Sequence, residues 1–172
     1  MGAEREGEAV ILAFDPGPSA CGVVLYDADN RRVLEAHKAM PVGGACGRAH
    51  YHSSEPLLVA IERVQSYGIS GASLLRTSEV VGRLWQSAIV ADVPVQLVYR
   101  REVLRALDVT GKGNRDSLVR QRLIEMHGGE RRAAVGTKKA PGPLYGVSGH
   151  AWAALAVAVA ASRGAGEVVR QS

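Results

Sequence analysis

The sequence predicts an α/β domain in which helices flank a mixed β-sheet. Near the start of the chain, three short apolar segments are separated by turn-forming residues, as expected for antiparallel strands. Farther along, strand-like segments alternate with segments of helical period, which is typical of parallel strands connected through helices. Because 172 residues fit one core, we expect residues 1–172 to form a single domain.

The first three strands are indicated by apolar runs and the turns between them. The segment Glu8–Phe14 (EAVILAF) is continuously apolar, as in a buried strand, and ends at the turn signal Asp15-Pro16-Gly17-Pro18. A second strand is predicted over Cys21–Asp27 (CGVVLYD). Asp29-Asn30 then turns the chain into a third strand, Arg32–Lys38.

The remainder of the chain alternates between the two kinds of element. Strands are predicted over Leu57–Val64, which is apolar until Glu62, and over Val93–Val98. Helical periods and stop signals predict helices over Ser70–Ala91, Glu102–Leu107, Asp116–His127 and Ser148–Ser162. Two segments are predicted as loops: Pro41–Pro56, which is rich in Gly, Ser and His, and Arg131–Gly146, which is basic, rich in Pro and Gly and without periodicity.

The positive charge of the chain is concentrated in one region. The net charge is +4, with an isoelectric point near 9.3. Residues 100–139 contain 11 basic and 5 acidic residues, whereas the rest of the chain has a net charge of −2. Such a regional excess suits a polyanionic partner, although a solvated basic face would have the same composition.

Nothing in the sequence suggests secretion or a membrane. Two cysteines do not make a disulfide framework, and residues 1–10 lack the apolar core of a signal peptide. The longest apolar run, His150–Ala161, is too short to span a bilayer. We therefore expect a cytoplasmic protein.

Two acidic residues stand at the ends of apolar strands. Asp15 ends the first strand, and Glu62 stands near the end of the strand that contains VAIER. A carboxylate in such a place is costly unless it has a partner or binds a metal, so the alternatives are a metal site, a salt bridge or an exposed strand end. His150 begins an apolar helix and shares a face with Ala153, where a histidine is more commonly part of the core than a ligand.

Four motifs in order resemble those of the RuvC-type Holliday-junction resolvases, which belong to the ribonuclease H-like superfamily. FDPGPSACGVVLYD is similar to their first motif, and AIERV to their second. TGKGNRDSLVRQRL resembles their glycine-rich basic turn, and GHAWAALAVAVAA their last motif. The resemblance covers about Val10–Ala161, and GTKKAPGPLYGV is similar to a branch of the family found in phages. For a phage protein, the compartment would be the host-cell cytoplasm.

The resemblance implies roles for individual residues. Asp15 takes the place of the family's first metal-bridging carboxylate and Glu62 that of the second acid, while His150 falls where the family has Asp or His. Ala153 falls where the family usually has a fourth acid, so this sequence departs from the pattern. Asp116 is a candidate substitute, with a helix-capping role as the alternative.

The implied activity is resolution of four-way DNA junctions by paired, metal-dependent hydrolysis of phosphodiesters. Two divalent ions about 3.5–4 Å apart can activate water and stabilise the leaving oxygen. Carboxylates suit Mg²⁺, and a histidine ligand shifts the preference toward Mn²⁺. Paired cuts imply a homodimer, and we expect the helix Ser70–Ala91, with Trp85 on its apolar stripe, to contribute to its interface; the alternative is that this stripe faces the core.

Candidate DNA contacts lie mainly in the basic region. They are Lys112, Asn114, Arg115, Lys138 and Lys139, with Arg100 and Arg101 as further candidates and Tyr67 as a stacking residue for an unpaired base.

Three other functions fit parts of the sequence. Because Ala153 replaces an acid, the chain could bind junctions without cutting them. It could be a related nuclease that acts on RNA or on other DNA structures. The strand–Asp–Gly–strand opening also occurs in ATPases of the actin/Hsp70 type, but 172 residues are too few for their two duplicated lobes.

Overall fold

The computed structural model describes residues 10–51, 58–66, 68 and 71–169. Its strands are β1 (Val10–Pro16), β2 (Ala20–Asp27), β3 (Arg32–Pro41), β4 (Leu58–Arg63), β5 (Val95–Tyr99), β6 (Gly136–Thr137), β7 (Ala140–Pro141) and β8 (Glu167–Val169). Its helices are α1 (Val42–His50), α2 (Ala72–Val90), α3 (Arg100–Ala106), α4 (Arg115–Met126), α5 (Arg131–Ala134) and α6 (Ala151–Ser162).

Six strands form one mixed sheet in the order β3-β2-β1-β4-β5-β8. The pairs β3·β2, β2·β1 and β5·β8 are antiparallel, whereas β1·β4 and β4·β5 are parallel. This is the mixed sheet predicted from the sequence, with three antiparallel strands followed by parallel ones. The strands β6 and β7 form a separate two-stranded hairpin.

Helices cover both faces of the sheet, and each face has its own hydrophobic cluster. On one face α6 lies on β1 and β2, and α3 and α4 pack over α6. Because α6 is enclosed on several sides, it is apolar all round and built from small residues, in agreement with its sequence AWAALAVAVAAS. On the other face, α1 and α2 pack against the sheet and against each other.

The apolar stripe of α2 faces the core. Val80, Val81, Leu84 and Ala88 are buried, and Trp85 packs against the same cluster. The stripe that contains Trp85 therefore packs in the core, which was the alternative to a dimer interface on this helix. The dimer itself stays a prediction.

Two predicted loops contain regular structure. The segment predicted as a loop from Pro41 to Pro56 is helical over Val42–His50. Glycines weakened its helical signal, but Val42, Ala45 and Ala49 recur at helical spacing and are buried. The predicted loop Arg131–Gly146 contains α5 and the β6–β7 hairpin. Strand β8 was not predicted, because three residues carry too little periodicity to be recognised.

Among the described residues, no helix is both long enough and apolar enough to cross a membrane.

Candidate active site

Asp15 and Glu62 lie side by side at the C-terminal ends of two parallel strands. In the pairing of β1 with β4, Phe14 is in register with Ile61, and the acidic residues follow immediately on each strand. Successive side chains alternate between faces, so both carboxylates project to the face covered by α6. The strand order therefore brings together two acids that are 47 positions apart in the sequence.

His150 joins this pair from the beginning of α6. Its Nδ1 lies 3.2 Å from Oδ2 of Asp15. Nδ1 can donate a hydrogen bond to this carboxylate, and Nε2 is then the ring nitrogen that Asp15 does not engage. The imidazole is 75% exposed, whereas the Asp15 side chain is 20% exposed. A half-buried carboxylate thus orients an accessible imidazole ring, an arrangement typical of metal-binding histidines.

A glycine on β2 makes room for His150. Gly22 pairs with Asp15 across the antiparallel ladder, and the backbone of His150 passes directly over it. A Cβ at position 22 would lie only 2.3 Å from the carbonyl oxygen of His150. The glycine of the first motif is therefore explained by close approach of another backbone rather than by a turn.

The three side chains line a hollow of about 440 Å³. Its other lining residues come from α3, α4 and α6 and the turn before α6: Arg100, Asp116, Val119, Arg120, Gly149, Trp152 and Ala153. A second hollow of about 280 Å³ adjoins it and is lined by Asp15, Pro16, Glu62, Arg63, Val64, Gln65, Thr77 and Arg100. The carboxylates and Arg100 belong to both, so they separate two spaces at one edge of the sheet.

Burial dominates the titration of both carboxyl groups. Burial, reinforced by the negative charge of Asp15, raises the pKa of Glu62 to about 7. Burial also raises the pKa of Asp15, while His150 and then Arg100 act in the opposite direction. Burial disfavours the ionised forms of these two neighbouring carboxyl groups. A cation held between them would stabilise those ionised forms.

Positive side chains line the same hollow as these acids. Arg100, the first residue of α3, forms an ion pair with Asp116 near the start of α4. Arg120 lies over the indole ring of Trp152, with its guanidinium carbon 5.4 Å from the ring centroid. The hollow therefore combines an acidic floor with guanidinium groups at its rim.

Ala153 lines the same hollow and contributes only a methyl group. It is the one residue of Ala151–Ala161 that is not fully buried, because it faces this space. Asp15 and Glu62 offer hard oxygen ligands that suit one divalent ion, and Nε2 of His150 offers a nitrogen. Within the described part of the chain, however, no three His, Cys, Asp or Glu side chains are already gathered as a metal site.

The predicted DNA contacts fall into two groups. Lys112, Asn114 and Arg115 lie in the exposed turn that leads into α4, whose residues Asp116 and Arg120 line the hollow. Asn114 has a structural role as well, since its Oδ1 accepts hydrogen bonds from the backbone N–H groups of Asp116 and Ser117.

The other group is farther from the acids. Lys138 and Lys139 are exposed between β6 and β7 and do not line the hollow. The chain after this hairpin is tied to the start of β3, where Val33 N–H donates to the carbonyl of Pro143. By register, Val33 lies at the level of Ile11, at the opposite end of β1 from Asp15. Tyr67 lies outside the described residues.

Three basic or aromatic positions at the site were not predicted from the sequence. Tyr99, the last residue of β5, has the guanidinium of Arg63 5.3 Å from its ring centroid and that of Arg101 5.1 Å away. Arg120 was also missed as a lining residue. The sequence gives little indication of these positions, because arginines at strand ends and on helix surfaces are common. Arg63 lies beside Tyr99 only because β4 pairs with β5 in the sheet.

Comparison with solved structures decides the fold. Thermus thermophilus RuvC in complex with a Holliday junction substrate superposes with a TM-score of 0.64 at 22% identity, over 93% of this chain and 99% of that chain. A second Thermus thermophilus RuvC structure gives a TM-score of 0.62 at 23% identity, over the same shares of both chains.

This chain has the RuvC fold. The prediction of a ribonuclease H-like mixed sheet is thereby confirmed. No protein-family model matches the sequence, and no curated protein matches it either. In this RuvC fold, Asp15 and Glu62 occupy the C-terminal edge of the adjacent parallel strands β1 and β4, with His150 beside them.

Proposed function

We propose that this protein is a divalent-metal-dependent endodeoxyribonuclease that resolves four-way DNA junctions by paired hydrolysis of phosphodiester bonds. The observation that carries the proposal is the pairing of two half-buried carboxylates, Asp15 and Glu62, at the edge of a RuvC fold. Asp15 and Glu62 would hold Mg²⁺ or Mn²⁺, with His150 as a nitrogen ligand and Asp116 as a further candidate ligand.

The bound ion would supply Lewis-acid chemistry for phosphodiester hydrolysis. Side chains of this protein orient the ligands, limit their hydration and attract the phosphate. Asp15 holds the imidazole of His150 in one orientation through Nδ1, and the apolar surroundings of Glu62 keep its carboxyl group from being fully hydrated. Arg100 and Arg120 give the rim the positive charge that an approaching phosphate requires.

The DNA would extend from this hollow over the basic edge of the domain. Arg63, Tyr99 and Arg101 form a stacked group at the ends of β4 and β5, and the turn that contains Lys112, Asn114 and Arg115 precedes α4. Lys138 and Lys139 would meet an arm of the junction away from the cut, and Tyr67 would stack on an unpaired base. Two equivalent cuts across a junction favour a homodimer with two such sites.

A direct test uses three labelled substrates: a four-way junction, a linear duplex of the same sequence and an RNA–DNA hybrid. Each is incubated with the protein in Mg²⁺ or Mn²⁺. We expect cuts in the junction only, in pairs on opposite strands. Asp15→Asn should abolish cleavage and leave junction binding intact, because the amide keeps the size of the side chain but cannot bridge a cation.

A second candidate function is junction binding without cleavage, and the methyl group of Ala153 inside the hollow favours it. The same assay separates the two. Tight junction binding with no cuts in either metal would support the binding protein, whereas cuts in the hybrid or the duplex would indicate another nuclease.

A further inference from the structure

The side chains of the hollow supply ligands for one divalent ion and leave few for a second. Asp15 and Glu62 supply the oxygen atoms, His150 supplies a nitrogen, and Ala153 supplies none. Any second ion would therefore depend largely on water and DNA for its ligands.

Arg100 lies where a second positive charge could stabilise the negative charge of the reacting phosphate. Its side chain lines both hollows that contain Asp15 and Glu62, and it is about 30% exposed. Three carboxylates (Asp15, Glu62 and Asp116) and two guanidinium groups (Arg100 and Arg120) line the main hollow, so one divalent ion already leaves the formal charge of the lining positive. A second divalent ion would then enter a pocket that is already positive.

Asp116 keeps Arg100 in this position. The two side chains form an ion pair across the rim, and Asp116 belongs to the first turn of α4, which Asn114 caps. The Asp116 side chain is 84% exposed, so its carboxylate lies at the mouth of the hollow rather than beside the buried acids. This geometry favours a positioning role for Asp116 over that of a metal ligand.

We propose that Arg100 takes the place of a second metal ion, so that the protein cuts DNA with one divalent ion and one guanidinium group per site. This inference rests on the proposed function. In the step, the oxygen of a water molecule forms a bond to phosphorus, and the bond between phosphorus and the leaving sugar oxygen breaks. The electron pair of that bond stays with the sugar oxygen, which takes up one proton and becomes a hydroxyl group, while the other product keeps the phosphate.

Arg100 contributes hydrogen bonds where negative charge grows during this step. A guanidinium group presents several N–H donors in a planar fork that matches two phosphate oxygens. Removing one donor that acts on such a charge commonly costs about 10²–10³-fold in rate. The exposed mouth of the hollow lets a phosphate replace Asp116 as the partner of Arg100.

The experiment counts ions and measures cleavage on the full-length protein. The number of bound Mn²⁺ ions per protomer is measured by electron paramagnetic resonance in two samples, the protein alone and the protein saturated with a nicked duplex. The nicked duplex represents the product of cleavage and offers no junction to cut. The variants are Arg100→Gln and Arg100→Lys, and Arg105→Gln is the control. Arg105 is an exposed residue of the same helix, so its replacement removes the same charge outside the hollow.

We expect one Mn²⁺ per protomer in the wild type, with and without DNA. Arg100→Gln should bind that ion as tightly or more tightly, because a neighbouring positive charge is gone, yet cleave the junction about 10²-fold more slowly. Arg100→Lys should keep part of the rate, and Arg105→Gln should match the wild type. Thermal unfolding of each variant verifies that the fold is retained.

Two ions per protomer in an actively cutting wild type, or normal cleavage by Arg100→Gln, would overturn this inference and leave the proposed nuclease function in place. A wild type that binds the junction and Mn²⁺ but makes no cut would overturn both.

Discussion

Gly22 is the residue whose replacement tests most directly how the candidate site is assembled. A Cβ added at this position would lie 2.3 Å from the carbonyl oxygen, 2.5 Å from the carbonyl carbon and 2.9 Å from the Cβ of His150. All three atoms belong to the backbone or the stem of one residue, so no flexible side-chain end can move aside. In Gly22→Ala, restoring an ordinary contact of about 3.4 Å requires His150 to retreat by about 1 Å.

This displacement should cost both stability and the contact with Asp15. Overpacking of this kind destabilises by about 1–3 kcal/mol. At about 2–4 °C per kcal/mol for a domain of this size, Tm should fall by about 2–12 °C. The Asp15–His150 distance is already 3.2 Å, so a further shift of about 1 Å ends the hydrogen bond. The rate of junction cleavage should fall sharply, because misplacement of a catalytic group by 1 Å can lower a rate by about 10²-fold.

The assay combines calorimetry with single-turnover cleavage of a labelled junction. The matched control is Gly82→Ala on the exposed surface of α2, where an added Cβ would meet nothing within 4 Å. Alanine is the better helix former, so this control should raise stability by about 0.5–1 kcal/mol and leave cleavage unchanged. If Gly22→Ala unfolds and cuts like the wild type, His150 does not depend on Gly22 for its place, and the reasoning about this contact is wrong.

Three further predictions concern charge, the missing acid and pH. Replacing Lys138 and Lys139 together with alanine should weaken junction binding and reduce the log–log salt slope by about 1–2 if each lysine meets a phosphate; an unchanged slope would show that both are merely solvated. Ala153→Asp should tighten Mn²⁺ binding, because it adds a carboxylate to the lining of the hollow beside His150; an unchanged Mn²⁺ affinity in a calorimetric titration would show that position 153 does not contact the ion. His127 is buried, with Nε2 2.8 Å from the Tyr26 hydroxyl and Nδ1 2.7 Å from the Leu123 carbonyl. Burial lowers the pKa of His127 from its ordinary 6.5, so the neutral form stabilises the fold and this contribution is lost as the pH falls below about 6.5. In urea titrations, the stability advantage of the wild type over His127→Gln should therefore shrink between neutral and mildly acid pH, and a constant difference would contradict this assignment.

Local patterns in the sequence predicted much of the sheet. The strands β1 and β2 were evident because their side chains are buried on both faces and form continuous apolar runs. An acidic residue stands near the end of β1 and another near the end of β4, so Asp15 and Glu62 could be recognised as candidates before the pairing of their strands was known. Helix α1 was missed because its glycines have low helical propensity and its stability comes from packing against α2 and the sheet.

The contacts within the site could not be predicted from local patterns. His150 is 135 residues from Asp15 in the sequence, and their hydrogen bond exists because α6 lies on β1 and begins at the level of Gly22. The pairing of Arg100 with Asp116 likewise depends on how α3 and α4 meet above the sheet.

The sequence by itself determined which segments become strands and helices and which residue types stand at their ends, because burial and backbone propensity act within a few neighbouring residues. Only the tertiary structure decided that β1 pairs with β4, that Arg100 separates two hollows, and that the face of Ala153 turns toward the acids. Those outcomes depend on which apolar surfaces pack together across the whole chain, and that packing brings distant side chains within reach of one another.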